Sequence, residues 1–130
     1  MEDNSRGFAS AEMLVVLLLI GILAGIGLPR YAATKENARV ARMVADLRNL
    51  AVSEEAYFAD HATYFRGALP SPALAFQPSA GVILTIDSAA VTGWSATAST
   101  MGTSQHCVVF YGDAAPSVPA AAETQAACTR

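Results

Sequence analysis

Three residues near the N-terminus have types and a spacing that suit charge pairing. Glu12 is the only charged residue between positions 9 and 28, a mostly aliphatic stretch. A lone carboxylate in lipid costs roughly 3 kcal/mol or more, so this position needs a cation. If the chain is cut after Gly7, the new α-amine of Phe8 lies four residues before Glu12, about one helical turn away. The two groups can then neutralise each other, within one chain or between neighbouring chains that assemble.

The segment that carries Glu12 is long enough to cross a membrane. As a helix, residues 9–28 extend about 30 Å, the thickness of the hydrocarbon core of a bilayer. A plain single-pass anchor is one alternative interpretation. An ordinary secretory signal with a small-residue cleavage site near residues 24–27 is another. A secretory signal has its charges before the apolar region, so Glu12, within that region, fits this interpretation poorly.

The beginning of the chain resembles the N-terminus of type IV pilins and the related pseudopilins. The matching pattern is G-F-x-x-x-E-M-L-V-V-L-L-L-I-G-I-L-A-G-I-G-L-P-R-Y. The resemblance implies that a prepilin peptidase cleaves between Gly7 and Phe8, and that Phe8 is then N-methylated. It also implies that Phe8 and Glu12 control docking of the subunit into a growing filament.

A weak point in the helix is expected near the end of the apolar run. Gly25 and Gly27 lower helix propensity, and Pro29 removes a backbone donor and crowds the carbonyl group four residues back. These residues are our candidates for a helix break within an otherwise long rod. The resemblance implies that this segment unwinds or stretches in the assembled filament.

Residues 30–60 carry a second helical pattern, which is amphipathic. Apolar residues at spacings of three, four and seven form one stripe suited to a core: Val40, Val44, Leu47, Leu50 or Ala51, and Phe58. Charged residues, including Asp46 and Glu54, occupy mainly the other positions. Lys35, Arg39 and Arg42 share a face that is either solvated or paired with another subunit.

Beyond this helix the pattern changes to a period of two. After a proline-containing loop at residues 61–81, three alternating runs lie within residues 82–111, separated by short polar or glycine-bearing links. They predict an antiparallel meander with one face on the helix and the other mostly polar. The tail, residues 112–130, is rich in alanine and proline and has little core potential.

The two cysteines, Cys107 and Cys128, both lie in the C-terminal quarter. With an export segment in front, a disulfide is the natural interpretation. It would close a loop of about 20 residues and stabilise the domain by roughly 3 kcal/mol. Two free buried thiols are the alternative.

The sequence also argues against several functional classes. A net charge of −3 offers no electrostatic case for nucleic acid. The histidines at positions 61 and 106 are isolated, and Asp87, Asp113 and Glu123 are scattered, so no calcium pattern is visible. With no phosphate-binding glycine loop and no Cys/His cluster either, we predict no enzymatic activity, no metal and no cofactor.

Together these features predict an α+β protein with the pilin fold. A long N-terminal α-helix, hydrophobic in its first half and amphipathic in its second, should pack on a three- to four-stranded antiparallel sheet. The predicted divisions are the leader 1–7, the hydrophobic helix 8–29 and the globular head 30–130.

The functional prediction follows from the resemblance. It implies a structural subunit of a type IV pilus-like filament, a homo-oligomer that polymerises through its hydrophobic helix. The expected partners are the prepilin peptidase, the inner-membrane assembly machinery and the membrane that holds the subunit before assembly. The expected final location is an extracellular filament on a bacterial cell surface.

Two alternatives stay open. One is a pseudopilin of a type II secretion system, against which the cysteine pair and the missing calcium pattern weigh. The other is a secreted soluble binding domain.

Overall fold

The computed structural model describes residues 3–116, 118–120 and 122–129, without the side chains of residues 3–8 and 29. One long helix precedes a four-stranded antiparallel sheet in the order β1-β2-β3-β4, so the predicted fold class is confirmed. The elements are α1, Asp3–His61; β1, Val82–Ala89; β2, Gly93–Thr100; β3, His106–Gly112; and β4, Ala127–Cys128. The chain forms two compact units, divided between Glu36 and Asn37.

The backbone of α1 is helical through Gly25, Gly27 and Pro29, without an interruption. The expected break at these residues was inferred for the assembled filament, and the isolated chain does not test it. The break therefore stays a prediction.

The core of the second unit lies between the amphipathic half of α1 and one face of the sheet. Met43, Leu47 and Leu50 are fully buried on the helix, and Val40 and Val44 pack at its edge. The inner face of the sheet contributes alternating residues, because successive side chains of a strand point to opposite faces. Its buried members are Val82, Leu84, Trp94, Ala96, Ala98, Cys107 and Val109.

The outer face of the sheet is less polar than the alternation predicts. Val108 and Phe110 on β3 are buried there against Ala120, in a second, smaller apolar cluster. The prediction that the tail has little core potential is therefore wrong for Ala120. Ala120, with the partly buried Ala114 and Ala127, suffices because it need only cover the two side chains that β3 presents on this face.

The C-terminal tail is attached to β3 by covalent and hydrogen bonds. Cys107 and Cys128 face each other in the β3–β4 register and form the predicted disulfide. Beyond it, the amide of Thr129 donates to the carbonyl oxygen of His106 at 2.9 Å. The amide of His106 in turn donates to the hydroxyl of Thr129 at 3.0 Å.

Candidate functional site: the N-terminal half of α1 and its supports

The first half of α1 presents an apolar surface that the described part of the chain leaves uncovered. From Met13 to Leu28 the large apolar side chains are between 49% exposed, at Val16, and 71% exposed, at Leu28. In contrast, Leu47 and Leu50 on the same helix are fully buried. A continuous apolar surface of this kind marks a site that contacts lipid or another protein. Among the described residues, α1 is the one helix long and apolar enough to cross a membrane.

Glu12 lies exposed at the start of this surface. Position 8 precedes it by one turn of the same helix, so an α-amine created there would be about 6 Å away along the axis. The side chain of Phe8 lies outside the described part of the structure. Cleavage after Gly7, methylation of Phe8 and the pairing with Glu12 therefore stay predictions.

The second compact unit, called the head from here on, is held together in part by two buried carboxylates that the sequence pattern placed on the wrong side of α1. Asp46 is only 3% exposed. Its Oδ2 accepts a hydrogen bond from the amide of Ser79, and its Oδ1 accepts one from the hydroxyl of Ser79, both at 2.8 Å. The carbonyl oxygen of Ser79 accepts in turn from the amide of Val82 at 3.0 Å. Asp46 therefore fixes the end of the loop that leads into β1.

Glu54 is the second buried carboxylate, with no exposed surface. Its Oε2 accepts a hydrogen bond from the amide of Phe65 at 2.8 Å, which holds the chain where it turns back after α1. Its Oε1 is buried without a hydrogen-bond partner among the described residues. Burial raises the pKa of Glu54 from 4.5 to about 7, since the charged form loses its water. The bond from Phe65 lowers the pKa and the nearby charge of Glu55 raises it, both by less than burial does.

A spacing signal for these two carboxylates was present in the sequence. Met43, Leu47, Leu50 and Glu54 recur at intervals of four, three and four, the interval pattern of one helix face. Asp46 lies beside them, next to Leu47. Residue type argued against burial, because carboxylates are rarely buried unless they are paired. Their partners are amides at positions 65 and 79, which no local pattern connects to the helix.

Aromatic side chains join the end of α1 to the sheet. The rings of Phe58 and Tyr64 are 4.7 Å apart, those of Tyr64 and Trp94 are 6.5 Å apart, and Trp94 stacks on Tyr111 at 4.8 Å. Trp94 is fully buried. The arrangement is a packing contact between the end of α1 and the sheet.

The described residues contain no group of three histidine, cysteine, aspartate or glutamate side chains that could hold a metal ion. The head has a cavity of about 340 Å³, partly lined by Arg66, Asp87 and Asp113. One of these carboxylates is already engaged, because Asp87 accepts a hydrogen bond from the hydroxyl of Thr97 at 2.7 Å. The uncovered helix is the feature of this chain with the clearest functional consequence.

The chain is similar to curated proteins called type II secretion system core protein G. The relative from Dickeya chrysanthemi is 33% identical over 64 residues, which are 49% of this chain and 42% of that protein. The relative from Klebsiella pneumoniae is 33% identical over 78 residues, 60% of this chain and 56% of that protein. The relative from Escherichia coli (strain K12) is 34% identical over 62 residues, 48% of this chain and 43% of that protein.

The chain thus spans about half the length of the curated relatives it matches. No protein-family model matches it. Over about half its length, the chain is a homologue of pseudopilins, which are type IV pilin-like proteins, and the resemblance seen in its first residues is confirmed.

Proposed function

We propose that this chain is a structural subunit of a pilin-like filament, and that the filament is the pseudopilus of a type II secretion system. The observation that carries the proposal is the division of α1. The head buries its own core on the second half of the helix, while Met13–Leu28 have no cover. A soluble binding domain has no use for such a surface, whereas a filament subunit needs it twice, first in lipid and then among the helices of its neighbours.

The proposed sequence of events begins with export. The prepilin peptidase removes the leader 1–7, and the new N-terminus at Phe8 is methylated. The mature subunit is held in the inner membrane by its apolar helix. Inner-membrane assembly machinery then adds it to a helical homo-oligomer, where burial of Met13–Leu28 among neighbouring helices replaces burial in lipid. Glu12 pairs with the α-amine of Phe8 of a subunit already in place.

The curated relatives favour a secretion pseudopilus over a surface pilus. The sequence alone favoured an extracellular type IV pilus-like filament, on the cysteine pair and the missing calcium pattern. The curated relatives support the secretion alternative instead, because all three carry the secretion system in their names. Neither argument from the sequence concerns the apolar helix or the leader, the parts that the two kinds of filament share.

A strain that lacks this chain separates the candidates. We expect loss of protein secretion with surface filaments unchanged. Loss of surface filaments with normal secretion would favour the type IV pilus. The intact mass of the mature protein tests the third candidate: the filament subunit begins at a methylated Phe8, whereas a secreted soluble domain begins near residue 28. That second result would overturn the proposal.

A further inference from the structure

The residues just after the apolar surface form a small polar and aromatic group. Arg30, Tyr31 and Lys35 are all exposed, and Tyr31 is 62% exposed although it is a large aromatic residue. The hydroxyl of Thr34 donates to the carbonyl oxygen of Arg30 at 2.9 Å, within the same turn of α1. The group therefore lies on regular helix, at a defined distance from the last apolar residue, Leu28.

The side chain of Lys35 points back toward the apolar surface. Its Nζ lies 5.2 Å from the centre of the Tyr31 ring, a cation–π contact across one turn of the helix. At about 1.5 Å per residue, the Cα atom of Lys35 is about 10 Å beyond Leu28. The contact returns the ammonium to the level of Tyr31, which is only about 4.5 Å beyond Leu28. By the same measure, the Cα atom of Arg30 is about 3 Å beyond Leu28.

We propose that Arg30, Tyr31 and Lys35 form an interfacial anchor that binds the phosphate groups of anionic phospholipids. The inference rests on the proposed storage of the subunit in a membrane. Each headgroup layer of a bilayer is about 5 to 7 Å thick, so both cations fall within it when residues 9–28 fill the hydrocarbon core. Tyrosine at this level is typical of membrane interfaces, where its ring contacts acyl chains and its hydroxyl contacts water.

The local charge is complementary to an anionic surface. Between residues 9 and 35, the only acidic residue is Glu12, about 27 Å from Arg30 along the helix. Glu36 follows Lys35 but lies about 12 Å beyond Leu28, outside the headgroup layer. The anchor would hold the helix at one depth in the membrane, and extraction of the subunit into a filament would have to break its lipid contacts.

Lys35 is the only lysine in the sequence, which permits a direct test. The full chain is reconstituted into vesicles of phosphatidylethanolamine and phosphatidylglycerol, or of phosphatidylcholine alone. A water-soluble acylating reagent is added, and the rate of Lys35 modification is followed by peptide mass spectrometry, which separates it from the N-terminal amine. Attraction of about 1 kcal/mol per basic residue corresponds to about fivefold slower acylation in the anionic vesicles. High salt should remove the difference.

Two variants of Tyr31 make the test specific. Tyr31→Ala removes the ring that draws the ammonium back, so Lys35 should react in anionic vesicles at nearly the rate seen in phosphatidylcholine. Tyr31→Phe keeps the ring and should keep the protection. Arg48→Ala serves as the matched control, since Arg48 is an exposed cation in the head, far along α1 from the apolar surface. This control should leave the protection unchanged.

Three results would overturn the anchor. Equal rates in both kinds of vesicle, with the chain retained by both, would refute the anchor alone and leave the filament proposal intact. Protection that disappears when the protein is diluted within the same lipid would assign the cations to a second copy of the chain. If neither kind of vesicle retains the chain, both the anchor and the membrane-stored subunit are refuted.

Discussion

Glu54 should make the stability of the head depend on pH in an unusual direction. Its folded-state pKa of about 7 lies above its ordinary value of 4.5. In the folded protein the carboxyl group therefore binds its proton more tightly than in the unfolded chain. Its stabilising contribution is fully present below pH 4.5, falls as the pH rises toward 7, and is lost above that.

The magnitude follows from the size of the difference. A shift from 4.5 to about 7 corresponds to an upper limit of about 3 kcal/mol, at about 1.4 kcal/mol per pH unit. Domains of this size are stable by about 5 to 15 kcal/mol, so the change is measurable. At an m-value of about 1 to 3 kcal/mol/M, the urea midpoint should move by about 1 to 3 M between pH 4.5 and 8.

The variant Glu54→Gln isolates this contribution. Its amide oxygen can still accept the hydrogen bond from Phe65, but the side chain does not titrate. Its NH₂ group would occupy the place of the unpartnered Oε1, which costs about 1 to 3 kcal/mol at every pH. The discriminating quantity is therefore the slope of the free energy of unfolding with pH. Between pH 4.5 and 8, we expect the free energy of unfolding to fall by up to about 3 kcal/mol more in the wild type than in Glu54→Gln.

The assay is urea unfolding of the full chain in mild detergent, followed by the fluorescence of Trp94. This is the only tryptophan in the sequence, and it is buried in the head. Asp60→Asn is the control, because Asp60 is an exposed carboxylate at the end of the same helix. It should retain the wild-type slope. Identical slopes for the wild type and Glu54→Gln would refute the argument that burial controls this carboxyl group.

Three further predictions concern processing, the disulfide and assembly. Gly7→Val should leave an unprocessed precursor about seven residues heavier, because the peptidase requires a small residue there; normal maturation would show that the leader assignment is wrong. Loss of the Cys107–Cys128 bond should lower the stability of the head by about 3 kcal/mol and affect assembly only through that instability. Thiol labelling without reductant checks that the bond is present, and two freely reactive cysteines would contradict it. Glu12→Ala should abolish or strongly reduce filaments while the mature subunit stays in the membrane, with Glu12→Gln less severe, because removing the charge removes the docking contact. Normal assembly of Glu12→Ala, measured as filament yield against membrane-held subunit, would rule out the charge-neutralisation account.

The fold class could be predicted from periodicity because its signals are local. The run from Met13 to Leu28 is apolar throughout, and the strands beginning at Val82 and Gly93 carry alternating patterns. These patterns reflect which side of an element is buried, and that side is repeated along the element itself. The cysteine pairing was also accessible, since the sequence holds only two cysteines.

The candidate site was also proposed from the sequence alone, and its residues stay a prediction. A carboxylate in an apolar run, four residues after the phenylalanine of a predicted cleavage site, is a combination of residue types that needs no tertiary contact to be recognised. The exposure of the apolar side chains from Met13 to Leu28 is consistent with this proposal.

Only the tertiary structure decided the contacts between residues that are distant in the chain. Asp46 and Glu54 are buried because amides at positions 79 and 65 meet them, and Phe110 is buried because Ala120 reaches the outer face of β3. A polar side chain is solvated unless a specific partner replaces its water, and the position of that partner is a property of the folded chain.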